Sequence, residues 1–496
     1  MVLKADMGYK KIIVEFICLL YVVLFVYAAL SKLLEFQDFQ AQLGQSPLLS
    51  AYTGFISYSV LSVEICIAVL LSIPRSRFAG LLFSFALMVM FTAYIIVILN
   101  YSSFVPCSCG GILEDLGWRK HLIFNIIFSL LAAIACLIIS RNKSRTLLKL
   151  FIFIVVGSSV IVILYLYSER AMHSENPFIR RFIQGSASQK AETDLKSNSK
   201  YFAGTDGTTL YMGDSQAPLH IMAYDTALKF KGHYKIQLER ENFPFTSVQV
   251  RIASPYFYLL DGTVPVIYKG NTSDWKGKLL MYDNNYYFSK AEIIAPSKIA
   301  FRAQQQGTLN NILGTFIFKD SLMVRYAPGL LKKQIDGLFD TDGMLHYDRE
   351  NQKLIYIYYY RNQFIIADES LKLIYRGNTI DTTTKANLKI AYIKETRQRK
   401  IASLPTAVNQ ITAVWNNLLF VNSSLIGRYE PKEMWKEASI VDVYDIRKRT
   451  YLSSVYIYDA DKSKLRSMFV SGNKLYAIVG HHLYKYHLDK HLVDVR

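Results

Sequence analysis

The chain has 496 residues, of which 51% are hydrophobic, and it carries a formal net charge of +18 at pH 7. It contains five cysteines and none after Cys136, so disulfides cannot hold the C-terminal part together. The sequence has no phosphate-binding loop, no HExxH motif and no nucleophile elbow. These absences exclude the enzyme classes that such motifs define.

Five apolar runs in the N-terminal part are long enough to cross a bilayer as helices, which takes about 20 residues each. The first run is too long, and too plainly followed by further spans, to be a cleaved signal peptide, so it predicts a signal anchor. The runs cover roughly Ile12–Leu30, Phe55–Ile73, Phe78–Leu99, His121–Ile139 and Leu147–Tyr167.

Positive charge is concentrated in alternate loops of this region. The residues concerned are Lys4, Lys10 and Lys11 before the first span, Arg75 and Arg77 after the second, and Arg141, Lys143, Arg145 and Lys149 after the fourth. Because basic loops stay on the cytoplasmic side, the N-terminus is predicted to be cytoplasmic. An odd number of spans in the inner membrane then places the C-terminal part in the periplasm or outside the cell.

The loop between the third and fourth spans contains Pro106-Cys107-Ser108-Cys109-Gly110-Gly111. The predicted topology puts this loop in an oxidising compartment, where disulfides form and persist. A disulfide between Cys107 and Cys109 would close a very small, strained ring, and strained, exposed disulfides are suited to thiol exchange. The sequence therefore predicts that both cysteines are catalytic redox residues.

Other interpretations of these cysteines remain open. The pair could be a structural disulfide or two inert thiols in a tight turn. Soft thiolates also suit Cu(I) or zinc, with His121 as a third ligand, but no second ligand cluster accompanies them, and no metal site is assigned. The remaining cysteines, Cys18, Cys66 and Cys136, are interpreted as small hydrophobic residues, with Cys66 as the one candidate relay partner.

Glu64 lies near the middle of the second apolar run. An ionisable group at that depth is costly and normally faces the bundle interior or a hydrated cavity. It is predicted to be a functional residue, either in a proton relay or in polarising a quinone-like electron acceptor. The alternative is a packing hydrogen bond to a Ser or Tyr on another helix. Glu15 and Lys32 carry less weight, because each lies near an interface where it can reach water.

The first 140 residues resemble the MauE/DoxX family of redox-associated membrane proteins. The matching pieces are Ser31-Lys32-Leu33-Leu34 with Phe36 and Phe39, Glu64, the Cys107/Cys109 loop, Leu116-Gly117-Trp118 and Asn125. The resemblance implies a four-helix transmembrane bundle that supports oxidation or disulfide formation in exported proteins, as MauE does for a disulfide-rich dehydrogenase subunit. A fifth span and a large C-terminal domain depart from the family pattern, so the substrate cannot be carried over. A membrane quinone is the candidate electron acceptor.

The composition predicts four regions: the bundle over 1–140, a fifth transmembrane helix over 141–167, a polar linker over 168–202 and an all-β domain over 203–496. Apolar, β-rich runs recur about every 45–65 residues in the last region, a period that suits four-stranded blades. A six-bladed β-propeller is therefore predicted, with a pair of β-sandwiches as the alternative. The clearest runs are Thr209–Met212, Tyr256–Leu260, Gly314–Phe318, Leu354–Tyr360, Leu418–Val421 and Lys474–Val479.

The net charge divides unevenly between these regions. Thirteen basic and eight acidic residues through Arg170 give +5, which leaves +13 for the remainder. The predicted exported location argues against nucleic acid, so the expected partners are the lipid bilayer and an exported protein or peptide that is acidic or contains cysteine. Two functions therefore compete: a membrane thiol/disulfide redox protein whose β-domain recruits its substrate, and a non-catalytic, membrane-anchored receptor or envelope assembly subunit.

Overall fold

The computed structural model of the chain describes residues 2–36, 39, 40, 43, 49, 52–101, 117–174, 178–388, 390–393, 398–401, 407–431 and 433–493. Cys107 and Cys109 lie outside the described residues, so their predicted pairing stays a prediction. The chain divides into two compact units: Met1–Gln184 with Gly427–Pro431, and Gly185–Ile426 with Lys432–Arg496. They are called the helical unit and the β-rich unit below.

The described part of the helical unit contains five long helices: α1 Val2–Leu34, α2 Thr53–Ser72, α3 Arg77–Tyr101, α4 Trp118–Ile139 and α5 Lys143–Ser174. All five contain a stretch long and apolar enough to cross a membrane, which confirms the predicted spans. Apolar side chains such as Phe16 and Leu19 point away from the helix contacts and are exposed. Such surfaces are stable in lipid, so this unit associates with a bilayer.

Helix α1 packs against α2 and α4, and α3 packs against α2, α4 and α5. The centre of the bundle is apolar and aromatic, with Tyr21 and Phe25 of α1 buried against Leu81 of α3 and against Ala132 and Cys136 of α4. The small side chains on α4 let neighbouring helices approach closely, which is how helices associate in lipid, where water does not drive them together.

The described residues of the β-rich unit form strands β1 to β27 and two short helices. The strands are β1 Ala187–Asp194, β2 Lys200–Thr205, β3 Thr209–Asp214, β4 His220–Asp225, β5 Phe230–Lys235, β6 Gln237–Leu238, β7 Gln249–Ala253, β8 Tyr256–Asp261, β9 Val266–Asn271, β10 Lys276–Tyr282, β11 Lys290–Ala295, β12 Lys298–Gln304, β13 Asn311–Phe318, β14 Leu322–Ala327, β15 Gly343–Asp348, β16 Lys353–Tyr358, β17 Gln363–Asp368, β18 Leu373–Asn378, β19 Ile390–Ile393, β20 Gln398–Ile401, β21 Asn409–Trp415, β22 Leu418–Ser423, β23 Ala438–Asp445, β24 Thr450–Tyr458, β25 Leu465–Ser471, β26 Lys474–Val479 and β27 His482–Leu488. The helices are α6 Met434–Glu437 and α7 Lys490–Val493.

Most of these strands form antiparallel, four-stranded sheets in which each strand pairs with the next along the chain. The described residues hold six such four-stranded units: β2–β5, β7–β10, β11–β14, β15–β18, β21–β24, and β25–β27 with β1. The first two are joined by parallel pairing of β2 with β7 and, together with β6, form one nine-stranded sheet. The first strands of successive units are neighbours in a closed cycle, since β25 lies beside both β21 and β2. This cyclic arrangement is that of a β-propeller, so the predicted all-β, propeller-like domain is confirmed and two β-sandwiches are not.

Within the β-rich unit, hydrophobic clusters lie between the faces of neighbouring four-stranded units. One cluster joins Ala203 of the first unit to Phe257 of the second, and another joins Tyr258 of the second to Phe316 of the third. A third joins Leu475 of the last unit to Phe420 of the unit before it. Face-to-face burial of this kind replaces the single central core of a smaller domain.

Strand β1 lies inside residues 168–202, the segment that the sequence predicts to be a linker. It pairs antiparallel with β27, from Ala187 opposite Leu488 to Asp194 opposite His482. It forms the outer edge of its sheet, and none of its residues is fully buried. Because an outer strand can be polar along its whole length, β1 lacks the apolar alternation that identifies strands in sequence. The first strand therefore completes the sheet whose other strands come from the last part of the chain.

Candidate functional site

Helix α2 places Glu64 in the interior of the helical unit. The buried residues of α2 are Thr53, Ser57, Glu64, Ile67, Ala68 and Leu71, spacings that lie on one face of a helix. Glu64 has 1% of its surface exposed. The predicted position of Glu64 in the bundle interior therefore agrees with the structure, while its catalytic role stays a prediction.

Lys32 of α1 forms an ion pair with Glu64 through its Nζ and the carboxylate Oε1. The Lys32 side chain is 12% exposed, so the pair is largely shielded from water. From its position near the end of an apolar run, Lys32 is expected to reach water and to matter less than Glu64. The structure corrects this: the long side chain of Lys32 reaches into the bundle, where the Glu64 carboxylate offsets the charge of the ammonium group.

Two polar residues of α4 belong to the same part of the bundle. The charge of Lys32 acts on the imidazole of His121, and Asn125 follows His121 by one helical turn. Glu64 Oε2, His121 Nδ1 and Asn125 Nδ2 are buried without a hydrogen-bond partner among the described residues. We call Lys32, Glu64, His121 and Asn125 the bundle polar group. Its unused donor and acceptor atoms can bind a polar molecule or pass a proton.

Aromatic rings and a further hydrogen bond lie close to this group. The ring of Trp118 lies 6.3 Å from that of His121 and 6.3 Å from that of Tyr94. Gln40 Nε2 donates a 3.0 Å hydrogen bond to Ser57 Oγ, two turns before Glu64 on the same face of α2. Flat aromatic surfaces beside buried polar groups are typical of sites for planar, partly polar molecules.

The other cysteines divide into two kinds. Cys18 and Cys136 are buried in the apolar centre of the bundle, as predicted for small hydrophobic residues. Cys66 is exposed and follows Glu64 by two positions, which turns it about 200° away around the helix axis. Cys66 therefore does not share a face with Glu64, and the structure offers no support for a relay through it.

A second concentration of charge lies in the β-rich unit, on strands that each come first in a four-stranded unit. Arg251 of β7 approaches Glu292 of β11, with Nε 3.9 Å from Oε1. On β15, His346 Nε2 lies 2.7 Å from Thr412 Oγ1 of β21. Burial, helped by the positive charges of Arg251 and Lys290, lowers the pKa of His346 from 6.5 to about 4.

This depressed pKa predicts acid sensitivity of the β-rich unit. Unfolded His346 takes up a proton near pH 6.5 and folded His346 only near pH 4, so its contribution is complete above pH 6.5 and falls as the pH drops towards 4. The loss is at most about 3 kcal/mol of unfolding free energy. His346→Gln should flatten the pH dependence of thermal unfolding of the full chain in detergent between neutral pH and about pH 5.

The control for this experiment is His487→Gln, which replaces an exposed histidine of β27. It should leave the pH dependence as it is in the wild-type protein. An unchanged pH dependence in His346→Gln would contradict the assignment.

The helical unit matches a known family. The sequence model of the family described as "Methylamine utilisation protein MauE" matches residues 10–138, which include Lys32, Glu64, Cys107, Cys109 and His121. This match confirms the resemblance stated above for the N-terminal region. The chain thus combines a MauE-like membrane bundle with a propeller-like domain. No curated protein matches the chain.

Several solved structures are similar to the β-rich unit. A member of the DUF4221 family from Bacteroides vulgatus is 13% identical, with a TM-score of 0.40, over 62% of this chain and 99% of that one. A protein of unknown function from Bacteroides thetaiotaomicron is 11% identical, with a TM-score of 0.38, over 61% and 76%. BamB from Moraxella catarrhalis is 8% identical, with a TM-score of 0.33, over 61% and 97%.

Proposed function

We propose that the chain is a membrane-bound thiol/disulfide redox protein that oxidises an exported partner recruited by its β-rich unit. The observation that carries the proposal is the bundle polar group: a buried Lys32–Glu64 ion pair within the MauE-like region that also contains Cys107 and Cys109. A bundle that served only as an anchor gains nothing from such a pair, because burying two charges costs more than apolar packing.

The proposed reaction transfers two electrons from the partner to the membrane. A thiolate of the partner attacks the Cys107–Cys109 disulfide and forms a mixed disulfide, releasing one loop cysteine as a thiolate. The second thiolate of the partner then breaks the mixed disulfide, so the partner gains a disulfide and the loop becomes a dithiol. When the loop disulfide forms again, the dithiol gives up two electrons and two protons, which a membrane quinone would take up.

The bundle polar group has a defined role in this proposal. Lys32 would donate a hydrogen bond to an oxygen of a bound quinone and stabilise negative charge there, while the Glu64 carboxylate and His121 would accept protons and pass them on. The free atoms Glu64 Oε2 and His121 Nδ1 support this role, since each retains hydrogen-bonding capacity in a buried position. Glu64 and Lys32 therefore act on the electron acceptor, and the cysteines act on the partner.

The proposal requires the cysteine loop and the β-rich unit to lie on the periplasmic or extracellular face, with the N-terminus in the cytoplasm. The distribution of basic residues supports this orientation. Maleimides that cannot cross the inner membrane should modify Cys107 and Cys109 after outer-membrane permeabilisation and reduction of the loop disulfide. Modification only after lysis of the inner membrane would refute the orientation.

The cysteine pair provides the direct test of function. Full-length protein in quinone-containing liposomes should oxidise a reduced dithiol peptide, measured as loss of free thiol. Cys107→Ser and Cys109→Ser should each abolish turnover, because neither variant can form the loop disulfide. When the peptide is supplied instead as its disulfide, the remaining loop thiolate of a single variant can attack it and release one peptide thiolate, so a mixed disulfide should be visible on a non-reducing gel.

Cys66→Ser is the matched control, since it removes an exposed thiol outside the loop. It should oxidise the peptide at the wild-type rate. If Cys107→Ser/Cys109→Ser oxidises the peptide as fast as the wild-type protein, the redox proposal is wrong. The membrane-anchored receptor or assembly subunit then becomes the better explanation.

A further inference from the structure

Two consecutive histidines lie at the turn between β26 and β27. His481 is in the turn itself, and His482 is the first residue of β27, opposite Val479. Gly480 has a φ of +56°, in the left-handed region that glycine adopts at no steric cost. The resulting tight turn presents both imidazoles together, with their ring centres 4.3 Å apart.

The loop between β24 and β25 brings Asp461 to these imidazoles. Asp461 and Lys462 have φ angles of +49° and +60°, and they form the centre of a turn closed by hydrogen bonds between Ala460 and Ser463. Positive φ at both central residues defines a type I′ turn, which holds the chain in a fixed direction. Asp461 Oδ2 lies 3.1 Å from His482 Nε2 and 4.0 Å from His481 Nε2.

Strand β1 contributes two more carboxylates on the other side of the histidines. Glu192 Oε1 lies 3.0 Å from His482 Nδ1, and Asp194 Oδ1 lies 3.8 Å from His481 Nε2. Three separate segments of the chain therefore meet at one point. Two of the five side chains are imidazoles and three are carboxylates, a donor set typical of sites for divalent transition metals.

We propose that Asp461, His481 and His482 bind one divalent transition-metal ion of the Zn²⁺ type, independently of the redox function. One ligand atom from each residue can be chosen so that all lie within 4.8 Å of one another. Tetrahedral zinc with bonds of about 2.1 Å sets its ligand atoms about 3.4 Å apart. Asp461 is exposed and both histidines are half-buried, so small side-chain rotations can close the difference.

The surroundings of His482 suit a metal-binding histidine. Both of its ring nitrogens face carboxylates, but a neutral imidazole has a single N–H to donate. With a metal on Nε2, the proton sits on Nδ1 beside Glu192. Glu192 Oε1 lies 3.0 Å away, so a small rotation lets it accept that proton and complete the carboxylate–histidine–metal pattern, which orients metal-binding histidines and raises their basicity. Glu192 is thus a positioning residue, and Asp194 is available as the fourth ligand.

The position of the site predicts what the ion does. It joins β1 to the β26–β27 turn and to the β24–β25 loop, which is where the first and last strands of the propeller meet. A ligand that binds the folded state alone stabilises it, by about 2.7 kcal/mol when present at 100 times its dissociation constant. The ion therefore strengthens the closure of the ring.

The test uses the full chain in detergent after treatment with a chelator. Titration with Zn²⁺, followed by calorimetry, should show one bound ion per chain and raise the thermal unfolding temperature of the β-rich unit. Co²⁺ should bind in its place and give the strong visible absorption of a tetrahedral site. His481→Asn/His482→Asn should abolish both signals, and Glu192→Gln should weaken Zn²⁺ binding about tenfold.

The matched control is His220→Asn/His233→Asn, which removes another histidine pair, on β4 and β5, with its ring nitrogens 2.9 Å apart. This variant should bind Zn²⁺ and be stabilised by it as the wild-type protein is. The proposal is overturned if the wild-type protein binds no Zn²⁺, or if binding and stabilisation survive in His481→Asn/His482→Asn. An unchanged Zn²⁺ affinity in Glu192→Gln would show that Glu192 is not part of the site.

Discussion

Replacing Lys32 by methionine is expected to destabilise the helical unit by about 3 kcal/mol, because it leaves the Glu64 carboxylate buried without its counter-ion. Methionine keeps the unbranched shape of the lysine side chain, so the loss reports the charge more than the packing. The measurement is unfolding of the full chain in mixed micelles, followed by helical circular dichroism. Oxidation of the dithiol peptide should also fall sharply.

A double substitution separates stability from function. Lys32→Met/Glu64→Gln removes both charges and should recover most of the lost stability, since no unpaired charge remains. It should not recover peptide oxidation, because the groups proposed to act on the electron acceptor are gone. If oxidation returns together with stability, the ion pair serves folding alone.

The control for both variants is Glu15→Gln. Glu15 pairs with Arg77 at 3.2 Å, but both side chains are partly exposed to solvent. An exposed pair of this kind contributes only about 0.2–1 kcal/mol, so this variant should stay close to the wild-type protein in stability. It should also oxidise the peptide at the normal rate.

Replacing Arg302 by methionine is expected to destabilise the β-rich unit by about 3–5 kcal/mol. Arg302 of β12 is 6% exposed and forms an ion pair with Asp342 in the loop before β15. Its Nη1 donates to Tyr356 Oη at 3.0 Å and to the Gly343 carbonyl oxygen at 3.2 Å. The substitution leaves Tyr356 Oη and the Gly343 carbonyl oxygen buried without this donor and leaves the partly exposed Asp342 without its counter-ion. The two neighbouring four-stranded units are then held together less tightly.

Thermal or denaturant unfolding of the full chain measures this loss. Arg325→Met on β14 is the control, because Arg325 is exposed and should change the unfolding free energy by less than about 0.5 kcal/mol. An equal effect of the two substitutions would show that Arg302 does not connect the units.

The architecture follows from the sequence because its signals are local. Each transmembrane helix is a continuous apolar run, and each of the six predicted β-rich runs falls in a different four-stranded unit, as Lys474–Val479 does in β26. Inner strands are buried on both faces and must be apolar throughout, so they can be recognised in the sequence. Outer strands such as β1 and β5 are exposed and polar, so their composition resembles that of a loop.

The candidate sites depend on contacts between distant parts of the chain, which sequence patterns do not report. Glu64 is recognisable by itself because a carboxylate in an apolar run is unusual. Lys32 is not, since nothing in its own neighbourhood indicates a partner on another helix. His481 and His482 are adjacent in sequence, but Asp461 and Glu192 reach them only through the fold. The roles of Cys107 and Cys109 stay predictions.

The pairing of β1 with β27 also sets the order in which the protein can be completed during synthesis. The five units from β2 to β24 are each contiguous in the chain, so each can form as soon as it has been made. The last unit cannot form until β27 has been synthesised, although β1 is the first of its strands to be synthesised. A nascent chain is thus tethered to the membrane with its ring open and the edge of β1 unpaired until the final strands emerge. That interval is when a chaperone or protease can act on it.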